Sequence, residues 1–198
     1  MKKGNMVLTL IITMIFAILL FAPLVAKAAD FFSLKSQGKK SFFEFVMTIE
    51  EMEEAMVGER KSALLFMEDE SGIVFFKKDQ GNVLVNIDYS WSQDARVIFE
   101  RPSNCNKEED CLCWFGKFEE SLETDIGSNH FITINMLNAV CQPIIDLKQD
   151  DCGVGEIPDS ESYTCVNGFV IENIISEAPA RNAFTLTKEA SSVLLELQ

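Results

Sequence analysis

The sequence predicts an α+β protein: an N-terminal transmembrane helix continuing into an amphipathic helix, followed by a mainly antiparallel β-rich, disulfide-stapled head domain. Three observations carry that expectation. The chain is uncharged from Met6 to Ala26, apolar side chains recur at helical spacing between Phe42 and Met56, and short β-type runs from residue 62 onward are joined in the second half by six cysteines in a loop-rich region. Together they divide the chain into a leader and membrane segment (1–29), an amphipathic stalk helix (30–58) and an acidic extracytoplasmic domain (59–198).

A helix crosses the hydrocarbon layer with roughly 20 apolar residues. Between Met6 and Ala26 the only non-apolar residues are Thr9, Thr13 and Pro23, so the expected partner of this run is membrane lipid. Lys2 and Lys3 precede it, which under the positive-inside rule makes a single-pass cell-membrane protein with a cytoplasmic N-terminus. Lys27, Lys35, Lys39 and Lys40 also place positive charge on the far side. The same residues admit a secretory signal: Pro23 precedes the small-residue site Ala26-Lys27-Ala28, with cleavage before Ala29.

A third reading starts from Lys2-Lys3-Gly4-Asn5, a basic stub ending in glycine directly before the apolar run. This layout resembles the short class III leader of archaeal type IV prepilins. The resemblance implies a cut between Gly4 and Asn5, the hydrophobic segment left as the N-terminal half of a long helix used for assembly, and self-assembly or other pilin-like subunits as partners. Archaeal members usually carry Gln where this chain has Asn5, and the glutamate of bacterial pilins is replaced by Thr9. Arg101-Pro102-Ser103, followed by Cys105 and Cys111-Leu112-Cys113, is similar to segments of membrane-anchored pilin-like archaeal proteins, a likeness that implies location and no activity.

Within the stalk, Phe42, Phe45, Val46, Ile49, Met52 and Met56 follow i, i+3, i+4, i+7 steps, with Glu44, Glu50, Glu51, Glu53 and Glu54 on the remaining arc. Such a stripe packs on the sheet of its own domain or contacts other subunits, and Gly58 is a fitting stop. Strands are expected over 62–67, 73–76 and 83–87, split by turn-type segments 68–72 and 78–82, which predicts consecutive hairpins. Residues 96–100 add a fourth strand, ending at Pro102. Further on, 131–134 is a strand, 136–141 a helical turn stopped by Pro143, and 169–175, 184–188 and 193–197 are strands, the last two forming a hairpin.

Cys105, Cys111, Cys113, Cys141, Cys152 and Cys165 are an even set in a segment expected outside the cytoplasm, so disulfides are the default, with the chain between Cys105 and Cys165 irregular and stapled. If Cys111 and Cys113 occupy a strand they share a face, and each reaches a different partner. The rival is zinc held by Cys105, Cys111, Cys113 and His130, but Cys-x5-Cys-x-Cys lacks the paired short spacings of zinc ribbons and fingers.

The net charge is -14, and beyond residue 40 eleven basic residues face thirty acidic ones. That field repels phosphate backbones, so no nucleic-acid partner is expected. His130 is the single histidine, without a G-x-S-x-G or H-E-x-x-H motif, and lacks the orienting partners of a triad. No enzyme, catalytic residue, cofactor or metal is expected. Asp150, Asp151, Glu156, Asp159 and Glu161 crowd a glycine-containing loop whose order departs from the EF-hand, which makes solvated loop charge the better account than calcium. Tyr89, Trp91 and Trp114 are either an exposed aromatic surface or core packing. The functional expectation is a membrane-anchored pilin-like surface subunit, structural or adhesive; the alternative is a secreted disulfide-stabilised binding domain released at Ala28, and an exported hydrolase ranks third.

Overall fold

The computed structural model describes residues 34–89, 94–126, 129–144, 147–149, 153–154, 160–172 and 180–198. Packing divides the chain into two units, Met1–Gln37 and Gly38–Gln198, and the second carries all of the described sheet structure. Among the described residues, one helix, α1 (Leu34–Glu53), is followed by fourteen strands: β1 (Arg60–Met67), β2 (Gly72–Phe76), β3 (Asn82–Tyr89), β4 (Asp94–Glu100), β5 (Cys111–Phe115), β6 (Lys117–Ile126), β7 (Asn129–Leu137), β8 (Val140–Pro143), β9 (Leu147–Gln149), β10 (Gly153–Val154), β11 (Ser160–Val166), β12 (Gly168–Glu172), β13 (Ala180–Lys188) and β14 (Val193–Leu197). Among the described residues no helix is long and apolar enough to cross a membrane, and the run from Met6 to Ala26 lies outside them.

The strands form three sheets. Sheet A has the order β1-β13-β14-β9, sheet B β10-β12-β2-β5-β8, and sheet C β11-β3-β4-β7-β6. Pairing is antiparallel except for β4 with β7, β9 with β14 and β10 with β12. The head is therefore β-rich, mainly antiparallel and disulfide-bonded.

Sheet B is the inner layer. On β2, Ile73 and Phe75 join one core while Val74 and Phe76 join another; on β5, Leu112 and Trp114 face the first, and Cys111, Cys113 and Phe115 the second. Side chains on a strand alternate in direction, so a sheet buried on both faces needs apolar residues at every position. Ile73-Val74-Phe75-Phe76 and the Cys111–Phe115 run supply them. The first core is completed by α1 and sheet A, with Phe45 and Phe184 ring centroids 5.5 Å apart. The second is completed by Val83, Val85 and Ile87 of β3, Phe99 of β4 and Ile134 of β7.

This layering corrects the expected consecutive hairpins. β1, β2 and β3 lie in different sheets, pairing respectively with β13, with β12 and β5, and with β11 and β4. The polar segments between them are corners where the chain changes layer; Glu70 and Asp79, both at positive φ, turn it there. The hairpin of β13 and β14 does form, Lys188 opposite Val193 and Phe184 opposite Leu197.

The helix begins earlier and ends sooner than its apolar period suggests. It stops at Glu53, leaving Met56 81% exposed in the connection to β1. Phe42, Phe45, Val46, Ile49 and Met52 are buried in the head's own core. Ser41 meets the free edge of β1: its Oγ accepts from Phe66 N at 2.8 Å and donates to Leu64 O at 3.4 Å, occupying edge groups that would otherwise recruit another strand. Gly38 N donates to buried Glu68 at 3.2 Å, and a Cβ on Gly38 would press within 3.2 Å of that carboxylate.

Two further expectations change. Residues 136–141 are no helical turn: β7 runs to Leu137, Asn138 turns the chain at φ 54°, and β8 begins at Val140. The chain between Cys105 and Cys165 is largely stranded rather than irregular. It includes β6, an edge strand of sheet C whose Lys117, Glu119 and Glu120 are exposed. Charge on an edge strand discourages pairing with other chains, and it also hides the strand from an apolar-period reading.

Candidate functional site

The residues of greatest chemical potential gather where β5 and β8 meet the loop 101–110. Cys111 and Cys113, two apart on β5, project from one face into the core shared with sheet C. Cys141 on β8 stands directly opposite Cys113 in the antiparallel register, Cα atoms 4.0 Å apart, and the two form a disulfide. Cys105, in the loop entering β5, is bonded to Cys111 across a Cα separation of 6.2 Å. Each strand cysteine thus has a different partner. The disulfides touch, with Cys111 Sγ and Cys113 Sγ 3.8 Å apart. Cys165 is also disulfide-bonded; the one cysteine then left in the sequence is Cys152, which lies outside the described residues.

Arg101 holds this region in shape. Its Nε donates to Cys105 O at 3.1 Å, Nη1 to Lys77 O at 2.9 Å and Gln80 O at 3.0 Å, and Nη2 to the carbonyls of Asn106 and Glu109. A guanidinium has five N–H donors in a fixed fork, and here all three of its nitrogens donate to backbone carbonyls from two layer-crossing segments, with Nη2 also 3.8 Å from Cys111 Sγ. The guanidinium carbon lies 5.8 Å from the Phe76 ring centroid, a cation–π distance. Partial burial lowers the Arg101 pKa below the usual guanidinium range, opposed by the nearby charges of Asp110 and Asp79. Asp79 N donates to Lys107 O at 2.8 Å and Lys78 N to Asp110 Oδ1, so the 77–81 corner and the loop before β5 are one hydrogen-bonded unit.

Gly168 belongs to the same junction. It follows Asn167 at the crossing from sheet C to sheet B, and a Cβ there would sit 1.9 Å from Phe75 O, which only glycine avoids.

The other sequence candidates scatter. His130 lies on β7 opposite Ala95 of β4 and Asp125 of β6, in sheet C, and is no member of the thiol cluster; the fourth sulfur there is Cys141. Trp114 is buried in the core between sheets A and B, so it takes no part in an exposed aromatic surface, and its Nε1 has no hydrogen-bond partner among the described residues. The side chains of Tyr89 and Trp91 lie outside the described residues, as do Gly4, Asn5, Ala28 and Ala29 and the side chains of Asp150, Asp151, Glu156, Asp159 and Glu161. Sequence reasoning missed Arg101 as an organiser, because backbone carbonyls as partners leave no residue-type signature. It also left the Cys113 to Cys141 pairing open, since spacing alone does not give strand register.

Known proteins offer no guide: no protein-family model matches the chain, and no curated protein or solved structure matches it.

Proposed function

We propose that the chain is a membrane-anchored, outward-facing, pilin-like surface subunit whose role is structural or adhesive. The observation that carries this reading is the second apolar flank of α1. Phe43 and Met47, one helical turn apart, are 37% and 58% exposed beside the core-facing stripe, and Leu64 on the adjoining edge strand is 70% exposed. A helix that only served its own core would show polar residues there. The same helix is approached in sequence by the uncharged run from Met6 to Ala26, and the prepilin-like Gly4-Asn5 junction precedes that run.

The head suits exposure to an oxidising exterior. Disulfides persist outside reducing compartments, and the acidic surface favours solubility. The competing reading is a secreted binding domain cut at Ala28, favoured by the Ala26-Lys27-Ala28 site. Mass spectrometry of the mature N-terminus, together with membrane fractionation, separates them. A start at Asn5 in the membrane fraction supports the pilin-like subunit; a start at Ala29 in the medium moves the protein to the alternative.

A further inference from the structure

We propose that reduction turns the two touching disulfides into a single tetrathiolate metal site made by Cys105, Cys111, Cys113 and Cys141. The four Sγ atoms all lie within 4.8 Å of one another. A tetrahedral zinc centre with Zn–S near 2.3 Å spaces its sulfurs about 3.8 Å apart, and the Cys111 to Cys113 separation is already 3.8 Å. Opening each S–S bond requires only that bonded sulfurs spread to that same spacing by side-chain rotation.

The scaffold supporting the four sulfurs does not depend on the disulfides alone. Cys111 and Cys113 are fixed by the ladder of β5 with β2, Cys141 by the register of β8 on β5, and Cys105 by the loop that Arg101 anchors through its carbonyls. Arg101 Nη2 lies 3.8 Å from Cys111 Sγ. Four thiolates around a divalent ion carry a net double negative charge, and a guanidinium at that distance offsets part of it and donates toward sulfur. Cys105, Cys111 and Cys113 are buried, which keeps solvent off three of the four ligands and suits a closed structural site rather than a catalytic one with an open position.

The chemistry balances with a dithiol reductant. Each of two reductant molecules gives two electrons and two protons, opening one disulfide to two thiols and closing on itself as a cyclic disulfide. The divalent ion then binds four thiolates as four protons leave to solvent. A thiophilic ion is required, with zinc the best fit to an all-sulfur tetrahedron. The inference is independent of where the chain is anchored; oxidation empties the site and reduction opens it.

The test uses the full chain, purified in detergent, reduced with a dithiol, freed of excess reductant under inert gas and titrated with zinc, followed by alkylation and peptide mass mapping. Zinc is expected to slow labelling of Cys105, Cys111, Cys113 and Cys141 roughly tenfold or more while leaving Cys152 and Cys165 at their metal-free rates. Cobalt in place of zinc should give the intense sulfur-to-metal charge-transfer band of a tetrahedral thiolate site at one ion per chain, unchanged in His130→Ala and weakened in Cys141→Ser, which keeps three of the four thiolates. Protection of Cys152 or Cys165 instead, a cobalt band of undiminished intensity in Cys141→Ser, or a wild-type chain that loses its circular-dichroism signal on reduction and does not regain it with zinc overturns the proposal.

Discussion

The two cores on either side of sheet B are held by different means. The core between sheet B, sheet A and α1 is filled by large side chains, Phe42, Phe45, Ile49, Met52, Leu65, Phe75 and Phe184 among them, and relies on burial and shape. The core between sheets B and C has fewer large groups. At its cysteine end it is closed by two disulfides and by one arginine tying five carbonyls. The difference teaches where each kind of perturbation acts: cavities harm the first core most, and loss of cross-links or of a single polar organiser harms the second.

Phe45→Ala makes the largest expected difference. It removes a fully buried ring packed on Phe184 and should cost about 3–5 kcal/mol, read as a shift in the denaturation midpoint. A cost under about 1 kcal/mol, the scale of an exposed substitution, breaks the claim that α1 is part of the head's core.

Next come the disulfides, which sharpen the comparison by loop length. The sequence separations are 28 for Cys113 to Cys141 and 6 for Cys105 to Cys111. In the chain-entropy account the first is worth about 3.5 kcal/mol and the second about 2 kcal/mol. The paired serine variants should follow that order, and the reverse order would locate the stabilisation in local contacts.

Arg101→Ala should cost about 2–3 kcal/mol, several hydrogen bonds at roughly 1 kcal/mol each less what water restores to exposed carbonyls. Arg101→Lys should recover little of it, since an ammonium cannot reproduce the five-donor fork. Full recovery by lysine would show that charge, not geometry, organises the junction.

The smallest effect is at the hairpin joining β13 and β14. Ser192 Oγ donates to Glu189 Oε2 at 2.7 Å and Lys148 Nζ lies 3.3 Å from it, and the Ser192 bond followed by the Lys148 contact lowers the Glu189 pKa below its ordinary 4.5. A depressed carboxylate pKa gives stability that is present above the unfolded value and lost as pH falls through the folded one. Glu189→Gln should therefore flatten the acid limb of a stability-against-pH curve slightly, with little change at neutral pH; an unchanged acid limb would show that this half-exposed contact contributes nothing.

Part of this architecture is legible in the residues. The core-facing stripe of α1, the β13 and β14 hairpin, and the separate partners of Cys111 and Cys113 follow from periodicity and strand geometry. Sheet membership does not. A turn-type segment between two strands looks alike whether the chain folds back on its neighbour or crosses to another layer, so β1, β2 and β3 read as hairpins. The clue to layering was the continuous apolar run of Ile73 to Phe76, since a strand with one wet face alternates. Strand β6 stayed hidden because its exposed residues are charged, and Arg101 because its partners are carbonyls.

The independence of the two cores is tested most directly by hydrogen exchange on the full chain with and without a dithiol reductant, in the presence of a chelator. Reduction should speed exchange in residues 101–110 and β8 while the amides of α1, β1 and β13 keep their protection. Equal loss of protection in α1, β1 and β13 would contradict the account, showing that the cysteine junction and the helix-side core open as one.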